Sequence, residues 1–153
     1  MTTLSAALIK PRRSASITLL FLLCTSSALA FDQAQLGYVK KQFMRFDLSN
    51  ANLIAAELYG ANLKGANLEA AKLQRANLNR ANLKIANLIS ANLEGADFQG
   101  AKLTEVNLSE ANLEGANLDG ANLKDANLIG ALIEGTIICN TTMPDGSVSY
   151  SGC

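Results

Sequence analysis

A large apolar residue returns at every fifth position of this chain from Leu48 to Ile138, and no other feature restricts its fold as much. The row runs Leu48, Leu53, Leu58, Leu63 and onward to Leu128, with Phe98 as its one aromatic member and Ile133 and Ile138 as its last. An alanine stands two residues before almost every member, so the unit reads Ala-Asn-Leu-x-x. It recurs roughly nineteen times over about 95 residues, and a fixed short period decides architecture ahead of local propensity.

A period of five excludes the ordinary elements. On an α-helix, leucines five apart advance about 500° per step and draw a spiral, not a face. A strand alternates strictly with a period of two. Ala-Asn-Leu suits a short extended piece with Ala and Leu inward and Asn outward. The two remaining positions hold Gly60, Gly65, Gly95, Gly100, Gly115 and Gly120, or else Ser, Asp, Asn, Lys and Glu, as a corner would. A chain that runs straight for three residues and turns in two must wind around an axis.

Ala-Asn-Leu-x-x in tandem, with Asp47 and Asp97 in the Asn position, resembles the pentapeptide repeat family over about 95 of the 123 residues after position 30. The resemblance implies an all-β solenoid, a right-handed quadrilateral β-helix with one pentapeptide per side and four per coil. Every twentieth residue then stacks on its predecessor. At about 4.8 Å per layer, about five coils make a rod roughly 23 Å long. The tail from Cys139 through Met143-Pro144-Asp145-Gly146 to Cys153 also resembles the ending of exported cyanobacterial members.

The flanks divide the chain into four parts. Residues 1–30 read as a signal peptide: Lys10, Arg12 and Arg13 precede the apolar run that includes Leu19, Leu20, Phe21 and Leu22. Ala28 and Ala30 supply the small residues that a signal peptidase reads, which places cleavage before Phe31. The apolar run is shorter than the roughly 20 residues of a spanning helix, so no stable membrane span is expected after cleavage. Residues 31–45 read as a short helical cap, with Asp32 at its start and Leu36, Val39 and Phe43 on one face. The β-helix is expected over 46–140 and a C-terminal cap over 141–153. Export is the expected fate: periplasm or extracellular space, or the thylakoid lumen if the source is cyanobacterial.

Two cysteines, Cys139 and Cys153, remain after signal removal, and an exported chain favours pairing them as a disulfide. A metal pair would lack any histidine or third cysteine to complete it. Met143-Pro144-Asp145-Gly146 between them reads as a tight turn.

Charge narrows the function classes. Removing the three basic residues of the leader leaves ten against thirteen acidic ones, or about −3, too mild to argue for nucleic acid or an anionic membrane. The chain has no histidine, so no conventional Ser-His or Cys-His pair exists, and no catalytic residue or cofactor is assigned. Sorted by side, the outward residues form columns. Lys64, Lys84 and Lys124 make one, interrupted by Thr104; Glu94, Glu114 and Glu134 make another, opposite to it. These are the candidate interaction surfaces. The expected function is a non-catalytic structural or protein-interaction rod with an unidentified protein partner, and end-to-end or side-by-side self-association stays open. Two alternatives are weaker. Cation binding along the glutamate column is one. The other comes from family members that mimic DNA and protect topoisomerases, a reading opposed here by the export signal and the mild charge.

Overall fold

The computed structural model describes residues 47–153, so the expected signal peptide at 1–30 and helical cap at 31–45 lie outside the described residues. From Asp47 onward the chain winds as a four-sided solenoid with twenty residues to the coil. Parallel pairing joins Asp47, Asn67, Asn87, Asn107 and Asn127 on the first side, and Asn52, Lys72, Asn92, Asn112 and Leu132 on the second. The third side carries Glu57, Asn77, Asp97, Asn117 and Ile137; the fourth carries Asn62, Asn82, Lys102, Asn122 and Thr142. The last pairing reaches Thr142, two residues past the boundary expected for the repeat.

A single pentapeptide shows why the unit has these residues. Asn82 N–H donates back to Ala61 O at 2.9 Å, and Leu83 N–H donates forward to Lys102 O at 2.9 Å. Ile85 N–H donates forward to Thr104 O at 3.0 Å, and Ala86 N–H closes the corner on Leu83 O at 2.9 Å. The fifth donor, Lys84 N–H, points along the corner and would have no backbone acceptor. Asn82 Oδ1 accepts it at 3.3 Å. All five backbone donors are therefore bonded, which is the accounting a tightly wound chain must satisfy. Asparagine serves here less by being polar than by reaching the second N–H after its own, the Asx-turn geometry.

The same bond recurs where Asn or Asp holds this position, from Ser49 N–H to Asp47 through Ile129 N–H to Asn127, and is missing where Glu57, Lys72 and Lys102 stand there. Asparagine also donates down its column: Asn82 Nδ2 to Asn62 Oδ1 at 3.2 Å, and Asn87 Nδ2 to Asn67 Oδ1 at 3.0 Å. Aspartate can do the first task and not the second, as Asp97 does in accepting Gln99 N–H at 2.9 Å. Asn82→Ala should therefore cost about 1 kcal/mol in chemical denaturation and Asn82→Asp clearly less. Equal losses from the two would refute the corner-capping role.

Each corner carries positive φ at its second residue, the sign pattern of a type II turn. Glycine was expected at the corners, or else Ser, Asp, Asn, Lys or Glu. The structure also puts Ala55, Ala70, Arg75 and even Ile85 (φ 56°) in that conformation. A β-branched residue is strained in the left-handed region, at about 1–2 kcal/mol. The ladder on both sides of each corner holds it there regardless.

Ala and Leu fill the interior as two alternating inward positions, and the central leucines are wholly buried. Val106 in an alanine position and Phe98 in a leucine position are buried as well, without breaking the pairing of their coils. The expected core row fails at its end. Ile133, a core position by spacing, is 54% exposed, while Leu128 and Ile138 are only partly buried. Spacing aims a side chain inward, but only a further coil can cover it.

In the last coil Thr136 and Thr141 take alanine positions. Their hydroxyls donate to Leu113 O and Leu118 O at 2.8 and 2.7 Å, so neither buries an unpaired group. The chain then leaves the solenoid as a hairpin. Strand β1 (Ile138–Thr142) pairs antiparallel with β2 (Val148–Ser151), with a one-residue irregularity where Asn140 takes positive φ. Gly146 N–H donates to Met143 O at 2.9 Å, so the turn falls on Met143-Pro144-Asp145-Gly146. The Asp145 carboxylate accepts from the Ser147 hydroxyl and the Ser147 N–H, and these bonds hold its pKa below the usual aspartate value. That contribution is complete at neutral pH and is lost as pH falls through the lowered pKa.

Candidate interaction surface

The solenoid decides which surface residues meet. Lys64 and Lys84 follow Asn62 and Asn82 at the corner after the fourth side, and Gly65 N–H donates to Lys84 O at 3.0 Å, so these two lysines lie on successive coils. Thr104 separates them from Lys124 in the same column. Lys84 leans to Glu105 on the next coil, with Nζ 3.2 Å from Oε1. Both ends of this ion pair are about half exposed, so it contributes little, on the order of 0–1 kcal/mol.

Glu94, Glu114 and Glu134 stand at the corner after the second side. Gly95 N–H donates to Glu114 O and Gly115 N–H to Glu134 O, both at 2.9 Å, which makes them consecutive layers. The stack sits diagonally across the rod from the lysine column. Among the described residues, no three His, Cys, Asp or Glu side chains converge closely enough to hold a metal ion. No ionisable side chain among the described residues is buried. Among the described residues Thr141 is the one polar residue buried as a whole, and its hydroxyl is already used; the half-buried Gln74 has its Oε1 shielded from solvent without a hydrogen-bond partner. Asp47 and Asp145, both exposed, have pKa values lowered from the usual aspartate value. Asp47 owes its shift first to the Ser49 side chain and then to the Ser49 N–H.

The corner after the third side carries a ladder of amide and charged side chains. Asn79 Nδ2 donates to Gln99 Oε1 at 3.2 Å and Gln99 Nε2 to Asp119 Oδ2 at 3.0 Å, and Arg80 Nη1 reaches the Tyr59 hydroxyl at 3.3 Å. Ile89 and Ile129 share the remaining corner, where Ile89 is half-buried and Ile129 is 77% exposed. Ile129 has apolar company that the spacing did not reveal. Leu132 takes an Asn position at 53% exposure beside the uncovered Ile133. The clue in the sequence was the loss of Asn from the unit at Leu132 and Ile137.

Cys139 and Cys153 are joined as a disulfide, with Cα atoms 4.9 Å apart. The bond ties the end of the hairpin back to the last corner. Ala28, Ala30 and Phe31, the expected processing site, lie outside the described residues.

Comparison with known proteins agrees with this geometry. The family description "Pentapeptide repeats (8 copies)" matches residues 47–84, 66–104, 86–120 and 107–143. The crystal structure of Rfr23, a pentapeptide repeat protein from the cyanobacterium Cyanothece 51142, is 43% identical at a TM-score of 0.58, with 60% of this chain and 63% of that one covered. HetL from Nostoc sp. strain PCC 7120, described as involved in heterocyst differentiation regulation, is 34% identical over 70% of this chain and 61% of its own, with a TM-score of 0.44. A pentapeptide repeat protein of the Arabidopsis thaliana thylakoid lumen is 26% identical over 80% of this chain and 77% of its own, with a TM-score of 0.35. The chain thus spans somewhat less than two thirds of the length of the two cyanobacterial relatives. No curated protein sequence matches it. With matches that run from Asp47 into the C-terminal hairpin, this chain belongs to the pentapeptide repeat family.

Proposed function

We propose that the protein is an exported, non-catalytic rod that acts by binding a protein partner along its charged corners. Its winding is taken as right-handed, the hand that parallel strands joined by crossovers overwhelmingly adopt. The observation that supports the reading is the complete separation of roles across the backbone. The Ala and Leu of the two inward positions carry stability, while every charged side chain of the described repeat points out in a column set by the period. Acid–base catalysis draws on buried groups with displaced pKa values, and these columns offer solvated ones. A stiff surface with charges at fixed spacing instead suits recognition of another macromolecule.

Export rests on the leader pattern of Lys10, Arg12, Arg13 and the Ala28-Leu29-Ala30 site. It places the rod in the periplasm or outside the cell, or in the thylakoid lumen of a photosynthetic source. A photo-crosslinking residue placed in turn at Lys84, Gln99, Glu114 and Ile129 tests the proposal in the native exported compartment. One corner should yield a discrete adduct, and the mature chain should begin at Phe31. Absence of an adduct from all four corners would sink the interaction reading. An unprocessed chain recovered from the cytoplasm would sink export.

A further inference from the structure

Two opposite sides of the rod carry opposite charge. The fourth side is entered at the corner that holds Arg80 and left at the corner that holds Lys64, Lys84 and Lys124, with Lys102 in its middle row. Those three rows contain five cations and no carboxylate. The second side, directly across the rod, is entered at Glu110 and left at Glu94, Glu114 and Glu134. Its three rows hold these four carboxylates and one cation, Lys72. All of these side chains are exposed or half-exposed. On both sides the rest of the entry row is uncharged and short, so Arg80 and Glu110 each stand alone in it.

The order of the rows decides how two such faces fit. Every coil winds in the same sense, so a second copy laid antiparallel sets exit row against exit row and entry row against entry row. The layer spacing of about 4.8 Å is common to both, and a match at one coil persists at the next. With the coils opposed end for end, Lys64 meets Glu134 and Lys84 meets Glu114. Arg80 meets Glu110 on the entry rows, and Thr104 and Lys124 meet Glu94 and Gln74. In the middle rows Lys102 faces Asn92, and Lys72 faces Asn122, so no like charges oppose within the two faces. Lys84 is free to turn, because its ion pair with Glu105 is half exposed and weak.

The same register accounts for apolar side chains that the repeat leaves in solvent. Ile54, Tyr59, Ile85 and Ile129 are about half exposed or more. Tyr59 comes level with Ile129, and Ile54 with Pro144. Ile85 comes level with Gly115, where a Cβ would meet nothing within 4 Å and space is open. Outside the faces, Asp125 comes level with Arg75, and Asp119 with Glu69 as the one like-charged pair. We propose that the fourth side of one copy binds the second side of another, antiparallel to it, through these matched rows. The two faces lie on opposite sides of the rod, so the contact does not close and copies add in a row. Five layers of one narrow side make a contact at the small end of specific interfaces, and association is accordingly weak. The proposal rests on reading the rod as an interaction protein, and it names a second copy as the partner.

Sedimentation of the folded exported protein tests this. At about 50 mM salt its mass should grow past a dimer with concentration, and at about 500 mM salt the apparent Kd should rise at least about tenfold. The chain past residue 30 is slightly acidic, so association that ignored these faces would strengthen with salt instead. The double variant Arg80→Gln/Lys84→Gln neutralises part of the fourth side, and Glu110→Gln/Glu114→Gln part of the second. Each should raise the apparent Kd at least about tenfold and keep the melting temperature, because these side chains point outward. An equimolar mixture of the two should form a 1:1 pair and stop there, since one intact face of each kind remains. A monomer at every concentration would overturn the proposal, as would growth that neither variant weakens, a closed dimer, a mixture that stays monomeric, or association that strengthens with salt. If the protein stays monomeric while another protein is crosslinked at Lys84 or Glu114, self-association falls and the interaction rod stands.

Discussion

Leu83→Asp should leave no folded rod at 25 °C. Leu83 is wholly buried in a middle coil, between leucines of the coils before and after it in a column without polar partners. Removing a core leucine costs about 2–5 kcal/mol in ordinary domains. A carboxylate in the vacated column must either stay ionised in a dry interior or take up a proton, and each adds further kcal/mol. The sum approaches the whole stability of a small domain, about 5–15 kcal/mol. Solenoid coils also contact only their neighbours, so a failed coil separates two halves that have no other contact. Circular dichroism should show the loss of ordered structure, and Leu83→Met should keep it at a cost of less than about 1.5 kcal/mol. A native-like spectrum and cooperative melt from Leu83→Asp would contradict the packing described for this core.

Opening the Cys139–Cys153 bond should release the C-terminal hairpin while the middle coils hold. The bond closes a loop with a sequence separation of 14, a constraint worth about 3 kcal/mol in the chain-entropy treatment. Little else secures β2. Val148 and Tyr150 are largely exposed, and two strands in water are marginal by themselves. In Cys153→Ser, amides of β2 should exchange rapidly while those of Leu68 and Leu83 keep their protection. Loss of β2 would also expose the outer edge of β1, and with it all sides of the terminal coil. Unchanged protection across β2 would show that pairing and turn suffice, and would reduce the bond to a minor role.

Much of this fold was legible because the constraint is local and repeated. Ala-Asn-Leu-x-x specifies two inward positions, one outward position and a corner, and the specification is renewed before an error of register can accumulate. The columns Lys64–Lys84–Lys124 and Glu94–Glu114–Glu134 follow from that arithmetic and lie where spacing put them. The role of asparagine was harder to see. Pattern shows that Asn faces out; only the coordinates show that Lys84 N–H is the donor left over at the corner and that Asn82 accepts it. The corner conformation was also broader than residue preference suggests, because pairing with both neighbouring coils can impose positive φ on Ile85.

The ends are where periodicity stops being informative. Ile133 satisfies the same spacing as Leu83, yet it is 54% exposed because burial comes from the coil above and no described coil lies there. The sequence alone determined the family, the twenty-residue coil and the sorting of charges, since each is fixed by residues within reach of a single turn of chain. Tertiary structure decided which donors go unpaired, how the hairpin closes two sides of the terminus, and that Leu132 and Ile133 share one open edge. Those features depend on what is stacked against a residue, and a neighbour's absence leaves no mark in a residue's own spacing.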